Sequence, residues 1–347
     1  MTGRRTSIIL IAMVATLAIT AAACGSDANT ASSTSTTATD AVDVPNGVVI
    51  GAGMNDPDDA NVAVLAFMPA EVTVATGTTV SWEWSGTEPH SVTFLAEGTT
   101  LPDPGSDPSL FAPTPPTGAY DGVSLVNSGL LPLGPDAPPP FDVSFDTEGT
   151  YSYYCVIHPQ MVGTVKVVAA DAQVDDPATV AEQRAADSAE FVAEGQAAKA
   201  ALQAQEPVTS KNADGSTTWT VEMGASTPHT DVLAFAPTPA NAKAGDTVTF
   251  LNSSSAPHTA TFFGEGAEPI VDPTDPRVDP PAPGPSPQDL SSVGFFNTGL
   301  LPPDAPPGAG PPEAVRSFSF VVPKAGTYAY VCLLHASSGM AGTIIAS

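Results

Sequence analysis

Past residue 45 the chain carries short runs in which apolar and polar side chains alternate with period two, the pattern of strands that bury one face. Residues 62–67, 72–74, 80–84, 141–145 and 163–168 all read this way, and Gly77 marks a turn between two of them. No helical period runs through this region, so it is expected to be all-β. The proline-rich stretches, 101–118 and the cluster following the segment at Asn127, cannot lie in interior strands, because proline lacks the N–H a ladder needs.

Between 171 and 206 the pattern changes to Ala, Glu and Gln with no β-branched run. This predicts a helix, with Asp176 as its cap, Pro177 in the first turn and Pro207 as its stop. Val180, Phe191 and Leu202 recur every eleven residues and share one narrow stripe. Such a stripe suits a helix resting on a domain, or a semi-rigid spacer of up to roughly 45 Å. Gly195 near its middle is the expected weak point.

Beyond the helix the first pattern returns in the same order. Leu65-Ala-Phe67 matches Leu233-Ala-Phe235, and Gly77 precedes His90 by the interval at which Gly245 precedes His258. Pro89-His-Ser-Val-Thr-Phe94 matches Pro257-His-Thr-Ala-Thr-Phe262. Asn127-Ser-Gly-Leu-Leu-Pro132 matches Asn297-Thr-Gly-Leu-Leu-Pro302, and Gly149-Thr-Tyr matches Gly326-Thr-Tyr. At the other end, Arg4 and Arg5 precede an apolar run from Ile8 to Ala23, the form of an export signal. The run ends in Ala-Ala-Ala-Cys24, which resembles a bacterial lipoprotein lipobox with Ala21 in place of the usual large aliphatic residue. Lipidation of Cys24 is the expectation; ordinary cleavage after Ala23 would leave an exposed free thiol. The expected organisation is a signal peptide 1–23, a flexible Ser/Thr-rich tether 24–45, a β domain 46–170, a helical linker 171–206 and a second β domain 207–347.

Charge narrows the partners. Ten Lys and Arg stand against 37 Asp and Glu, a net charge of −27, or −29 once Arg4 and Arg5 are removed (8 basic minus 37 acidic). Nucleic acid is excluded as a partner, since phosphate binding needs basic side chains. The acidity reads either as solubility or as steering towards a partner with a basic surface. The membrane is reached through the lipid anchor.

The remaining cysteines carry the chemistry. Cys155, His158 and Met161 place a thiol, an imidazole and a thioether within seven residues, and Cys332, His335 and Met340 repeat the order. With an imidazole from His90 in one half and His258 in the other, each set becomes the His₂Cys arrangement with a weak axial Met that suits electron-transfer copper. Zinc would find no use for the thioether. His229 has no repeat partner and reads as a surface residue. Four of the five histidines are thereby assigned and no His-x-His pair occurs, so neither a further catalytic copper nor a Ser-His-Asp arrangement can be built; the chain is not expected to be an enzyme.

With these residues the chain resembles two cupredoxins in tandem, of the plastocyanin, amicyanin and pseudoazurin kind, over residues 46–168 and 208–347. Cys155-x-x-His158-x-x-Met161 has amicyanin-like spacing; four residues between His335 and Met340 give plastocyanin- or pseudoazurin-like spacing. Ser91 and Thr259 stand where plastocyanins commonly place Asn, and the intervals between first histidine and cysteine are longer than in small family members. The resemblance implies two Greek-key β-sandwiches joined by an α-helical linker, with two type 1 coppers per chain. It further implies a blue copper electron carrier that exchanges electrons with a redox protein partner, while the lipobox-like end at Cys24 is what leads one to expect it lipid-anchored on the extracytoplasmic face of the cell membrane. The unequal loops imply two potentials and two successive stations. Readings from other classes are a copper-holding or copper-delivery lipoprotein, which the seven unclustered methionines do not favour, and a non-redox surface binding module.

Overall fold

In the computed structural model, which describes residues 47–104, 106–131, 137–263, 288–289, 295–304 and 316–347, the alternating runs become strands. The leader, the tether and Cys24 lie outside the described residues. The first half contains β1 (Val48–Asp56), β2 (Asp59–Met68), β3 (Glu71–Ala75), β4 (Thr78–Ser85), β5 (Thr93–Phe94), β6 (Val126–Asn127), β7 (Phe141–Phe145), β8 (Gly149–Tyr154) and β9 (Val162–Val168). After α1 (Pro177–Gln203) come β10 (Thr209–Lys211), β11 (Thr217–Ser226), β12 (Thr230–Ala236), β13 (Ala240–Ala242), β14 (Thr247–Asn252), β15 (Thr261–Phe263), β16 (Gln288–Asp289), β17 (Phe295–Asn297), β18 (Ser317–Val321), β19 (Gly326–Val331) and β20 (Ala341–Ala346).

The first half forms two sheets, β2-β1-β4-β7 and β3-β9-β8-β5-β6, and the second repeats them as β12-β11-β14-β18 and β13-β20-β19-β15-β17. Each pair closes on a core in the manner of a β-sandwich. Strand β9 shows why: Val165 and Val167 point inward while Val162 and Lys166 remain exposed, so period two alone sorts the faces. Trp82, Phe94 and Tyr153 fill the first core, and Phe250, Phe262 and Tyr330 take the corresponding places in the second. Trp82 meets Tyr153 edge-on at 5.0 Å, and Phe250 meets Tyr330 at 4.9 Å.

Strands β2 and β12 depart from the half-buried pattern, because both of their faces are covered. They pair antiparallel with Thr230 opposite Val64, Asp231 opposite Ala63 and Val232 opposite Val62, joining the two halves in one ten-stranded sheet. Helix α1 covers the outer face. Val64, Ala66 and Met68 meet Phe191 and Val192, while Val232, Ala234 and Ala236 meet Ala198 and Leu202.

The helix begins as the sequence predicts, with Asp176 accepting from the Ala178 N–H at 2.9 Å and Pro177 in the first turn. It lies along the join and does not space the halves apart. Arg184 pairs with Glu83 at 3.0 Å, Lys199 with Asp59 at 2.6 Å, and Gln196 donates to Asp56 at 2.7 Å. The expectation for Gly195 is corrected: it is buried, and a Cβ there would stand 2.4 Å from Val62 Cγ1 and 3.2 Å from Thr230 Oγ1. It marks close approach of helix to sheet, not a weak point. His229 is partly exposed, yet its ring stacks on Phe191 at 4.0 Å and its Nδ1 lies 2.9 Å from Glu194 Oε2. Among the described residues no helix is long and apolar enough to cross a membrane.

Candidate metal centres

The upstream histidine of each half is held by its backbone. His90 N–H donates to Leu131 O at 2.7 Å and Leu131 N–H donates back at 2.9 Å; His258 and Leu301 exchange the same bonds at 3.2 and 2.8 Å. This accounts for the repeated Asn-x-Gly-Leu-Leu segment. Asn127 Oδ1 accepts from Thr93 Oγ1 and Gly129 N–H, as Asn297 Oδ1 does from Thr261 Oγ1 and Gly299 N–H. Asn127 Nδ2 also donates to Leu110 O and Ala112 O, fastening the proline-rich insertion beside the site.

A glycine makes room for each ring. Gly53 and Gly224 sit where the β1–β2 and β11–β12 registers shift, with φ of 74° and 84°, as in bulges that require a left-handed residue. A Cβ at Gly53 would lie 2.1 Å from His90 Nε2, and one at Gly224 2.9 Å from His258 Nε2.

The cysteine loops close alike despite their unequal length. Cys155 N–H donates to Met161 O at 3.0 Å and Met161 N–H to His158 O at 2.9 Å. Cys332 N–H donates to Met340 O at 2.9 Å and Met340 N–H to His335 O at 3.1 Å, with Gly339 at φ 81° absorbing the longer path. The N–H groups of Ser91 and Thr259 each stand 3.4 Å from the cysteine sulfur. Their hydroxyls accept from Val156 N–H (3.0 Å) and Leu333 N–H (2.9 Å), so a short hydroxyl side chain supports each loop.

These constraints bring His90, Cys155 and His158 together, and likewise His258, Cys332 and His335, each set buried with its donor atoms within 4.8 Å of one another. In the first set the two Nδ1 atoms are 3.1 Å apart and Cys155 Sγ is 3.5 Å from His158 Nδ1. In the second the two Nδ1 atoms are 3.0 Å apart, and Cys332 Sγ lies 3.7 Å from His258 Nδ1 and 3.3 Å from His335 Nδ1. Three donors about 2.0–2.3 Å from a common centre stand about 3.5 Å apart, so the sets fit a metal in the middle. Met161 and Met340 are buried in the same cores as Cys155 and Cys332.

The electrostatics also suit a thiolate ligand. Burial pushes the Cys155 thiol up, but the imidazoles of His158 and His90 outweigh it and hold the thiol well below its usual range. Cys332 behaves in the same way under His335 and His258. Burial keeps His90 below the usual imidazole range. At His158 and His335 burial acts in the same direction but is outweighed, chiefly by Cys155 at His158 and by Glu88 and Cys332 at His335.

Sequence reasoning missed two neighbours. Ser254 Oγ lies 2.7 Å from His258 Nε2, whereas His90 Nε2 is buried with no hydrogen-bond partner among the described residues. The repeat offset of 168 residues (258 − 90) places Gly86 where the second half has Ser254. The second neighbour is Glu88, whose Oε2 lies 3.2 Å from His335 Nε2 in the other half. Its repeat position is Ala256, so a charge without a counterpart was the available signal.

No family model matches the chain. A plastocyanin from Scenedesmus fuscus is 30% identical over 125 residues, 36% of this chain and 95% of that protein. Among solved structures, amicyanin from Paracoccus versutus (Thiobacillus versutus) aligns at 23% identity and a TM-score of 0.24, over 36% of this chain and 86% of that one. A Cu(I) amicyanin variant aligns at 20% identity and a TM-score of 0.23, over 35% and 83%. Because the plastocyanin is matched along almost its whole length, this chain belongs to the plastocyanin family of cupredoxin-like blue copper proteins.

Proposed function

We propose that the protein is a copper electron carrier with one type 1 centre in each half, on His90, Cys155, His158 and Met161 and on His258, Cys332, His335 and Met340. The observation that carries this reading is the pair of buried Cys-His-His sets, each with its donor atoms within 4.8 Å. Bound copper would supply one-electron exchange between Cu(I) and Cu(II). The chain's own part is to hold the donors still. Backbone bonds fix His90 and His258, the amides of Ser91 and Thr259 face the sulfurs, and burial keeps water away. A donor set that is already assembled needs little rearrangement when the charge at its centre changes. Burial of both sets also supports a carrier over a delivery protein, which must release its copper.

The unequal loops, and Ser254 behind His258 where His90 has no such partner, support two distinct potentials and two successive stations. The domains are 46–170 and 207–347, with 171–206 between them. The protein is exported, anchored through Cys24 on the extracytoplasmic face, and exchanges electrons with a protein of basic surface. Metal analysis and an absorption spectrum test the core of this reading: two coppers per chain with an intense thiolate-to-copper band, and one after Cys155→Ala. A copper-free, optically silent protein from copper-replete expression would overturn it.

A further inference from the structure

Two residues before His90, Glu88 reaches across to the site of the other half. The residue is buried, 7% exposed, and Oε2 lies 3.2 Å from Nε2 of His335, itself 3% exposed. A buried carboxylate needs a partner, and this imidazole provides it. Flanking contacts fasten the two halves around this pair. The Thr87 and Ser338 hydroxyls are 2.7 Å apart, and Asn61 Nδ2 donates to Ser338 O at 2.7 Å and to Leu233 O at 2.8 Å. At the repeat position the second half has Ala256, which carries no carboxylate.

Resting on the carrier reading, we propose that Glu88 is a positioning residue contributed by the first half to the second metal centre. Accepting from Nε2–H of His335, it selects the tautomer that leaves Nδ1 bare for the metal and turns that atom towards Cys332 Sγ, 3.3 Å away. Its negative charge favours the more highly charged Cu(II) state and so lowers the potential of the second centre. It also closes the His335 edge to solvent and to partners. The second centre is thereby completed by the first half of the chain.

The test uses the full chain carrying Cys155→Ala, so that only the second centre remains, with Glu88→Gln and Glu88→Ala added separately. In the metal-free chain, ¹⁵N–¹H signals should show the His335 Nε2–H bonded and slow to exchange. Glu88→Gln should keep that signal through its amide oxygen, and Glu88→Ala should lose it. In the copper-loaded chain at fixed ambient potential, both variants should lower the Cu(II)/Cu(I) ratio about tenfold, equivalent to about 59 mV for one electron. The first centre, read in a Cys332→Ala chain, should shift several-fold less. A purely structural role would lower thermal stability and leave the ring signal and the ratio where they were. An unchanged ring signal in Glu88→Ala, or a second-centre ratio within twofold of its parent in both variants, would overturn the proposal. If the parent chain takes up no copper, the carrier reading fails, and the metal-free ring signals still decide whether Glu88 positions His335.

Discussion

At the scale of single residues, the two bulge glycines leave the room in which the upstream histidine rings sit. Gly53→Ala would force a side chain onto a backbone at φ 74° and drive a Cβ to 2.1 Å from His90 Nε2. The expected result is a loss of about 1–3 kcal/mol of stability, read by urea unfolding, together with a fall from two coppers to one. A variant that keeps both coppers would contradict this account. Ser254→Ala makes a gentler change: it leaves His258 Nε2 as unpartnered as His90 Nε2, so the absorption and potential of the second centre should move towards those of the first. Away from the metal sites, Asp246 accepts from Thr217 N–H at 2.8 Å, Lys243 N–H at 2.9 Å and Trp219 Nε1–H at 3.2 Å. Burial pushes this carboxyl up, but those three donors hold it below the usual range. A depressed carboxyl contributes stability that is present above its unfolded value of about 3.9 and is lost as pH falls through the lower folded value. Asp246→Asn should therefore destabilise the protein by about 1–2 kcal/mol at neutral pH. The gap to the parent should close as unfolding is repeated towards pH 2.

At the scale of elements, α1 and the β2–β12 pair act as one device. Ala63 lies opposite Asp231, and the two are each other's repeat positions (63 + 168 = 231), so the halves meet about a local two-fold as identical subunits would. The helix lies over that join, with Gly195 admitting Val62 and Thr230. In an exposed helix Gly→Ala stabilises by about 1 kcal/mol. Here the sign should reverse. Gly195→Ala should lower the melting temperature, because a Cβ 2.4 Å from Val62 Cγ1 lifts the helix from the sheet; a raised melting temperature would show that the contact gives way easily.

At the scale of the molecule, one sheet runs through both halves and one helix covers the seam. Trp82 and Trp84 report on the first half and Trp219 on the second. Denaturant unfolding should give coincident transitions by tryptophan fluorescence and far-ultraviolet circular dichroism, with equal calorimetric and van 't Hoff enthalpies. Two resolved transitions would mean that the seam is weaker than the halves it joins. The same continuity places a first-half carboxylate on a second-half imidazole, so the two centres are not independent modules on a spacer.

What the sequence determined by itself was whatever is written locally or by repetition. Period two marked the strands, a change of composition marked the helix, and the paired order of Pro-His, Asn-x-Gly and Cys-x-x-His picked out the residues that the fold brings into the two Cys-His-His sets. These were legible because each depends on neighbours in the chain or on comparison of one half with the other. The course of α1, the covering of both faces of β2 and β12, the meaning of Gly195, and the partners Ser254 and Glu88 were decided by the tertiary structure. Each rests on contact between segments that approach only after folding, as when Asn61 reaches Ser338, 277 residues away. No local period records such a contact. At Glu88 and Ser254 the only trace was a polar side chain in one half facing Ala256 or Gly86 in the other, and its chemistry becomes readable once the opposing imidazole is in place.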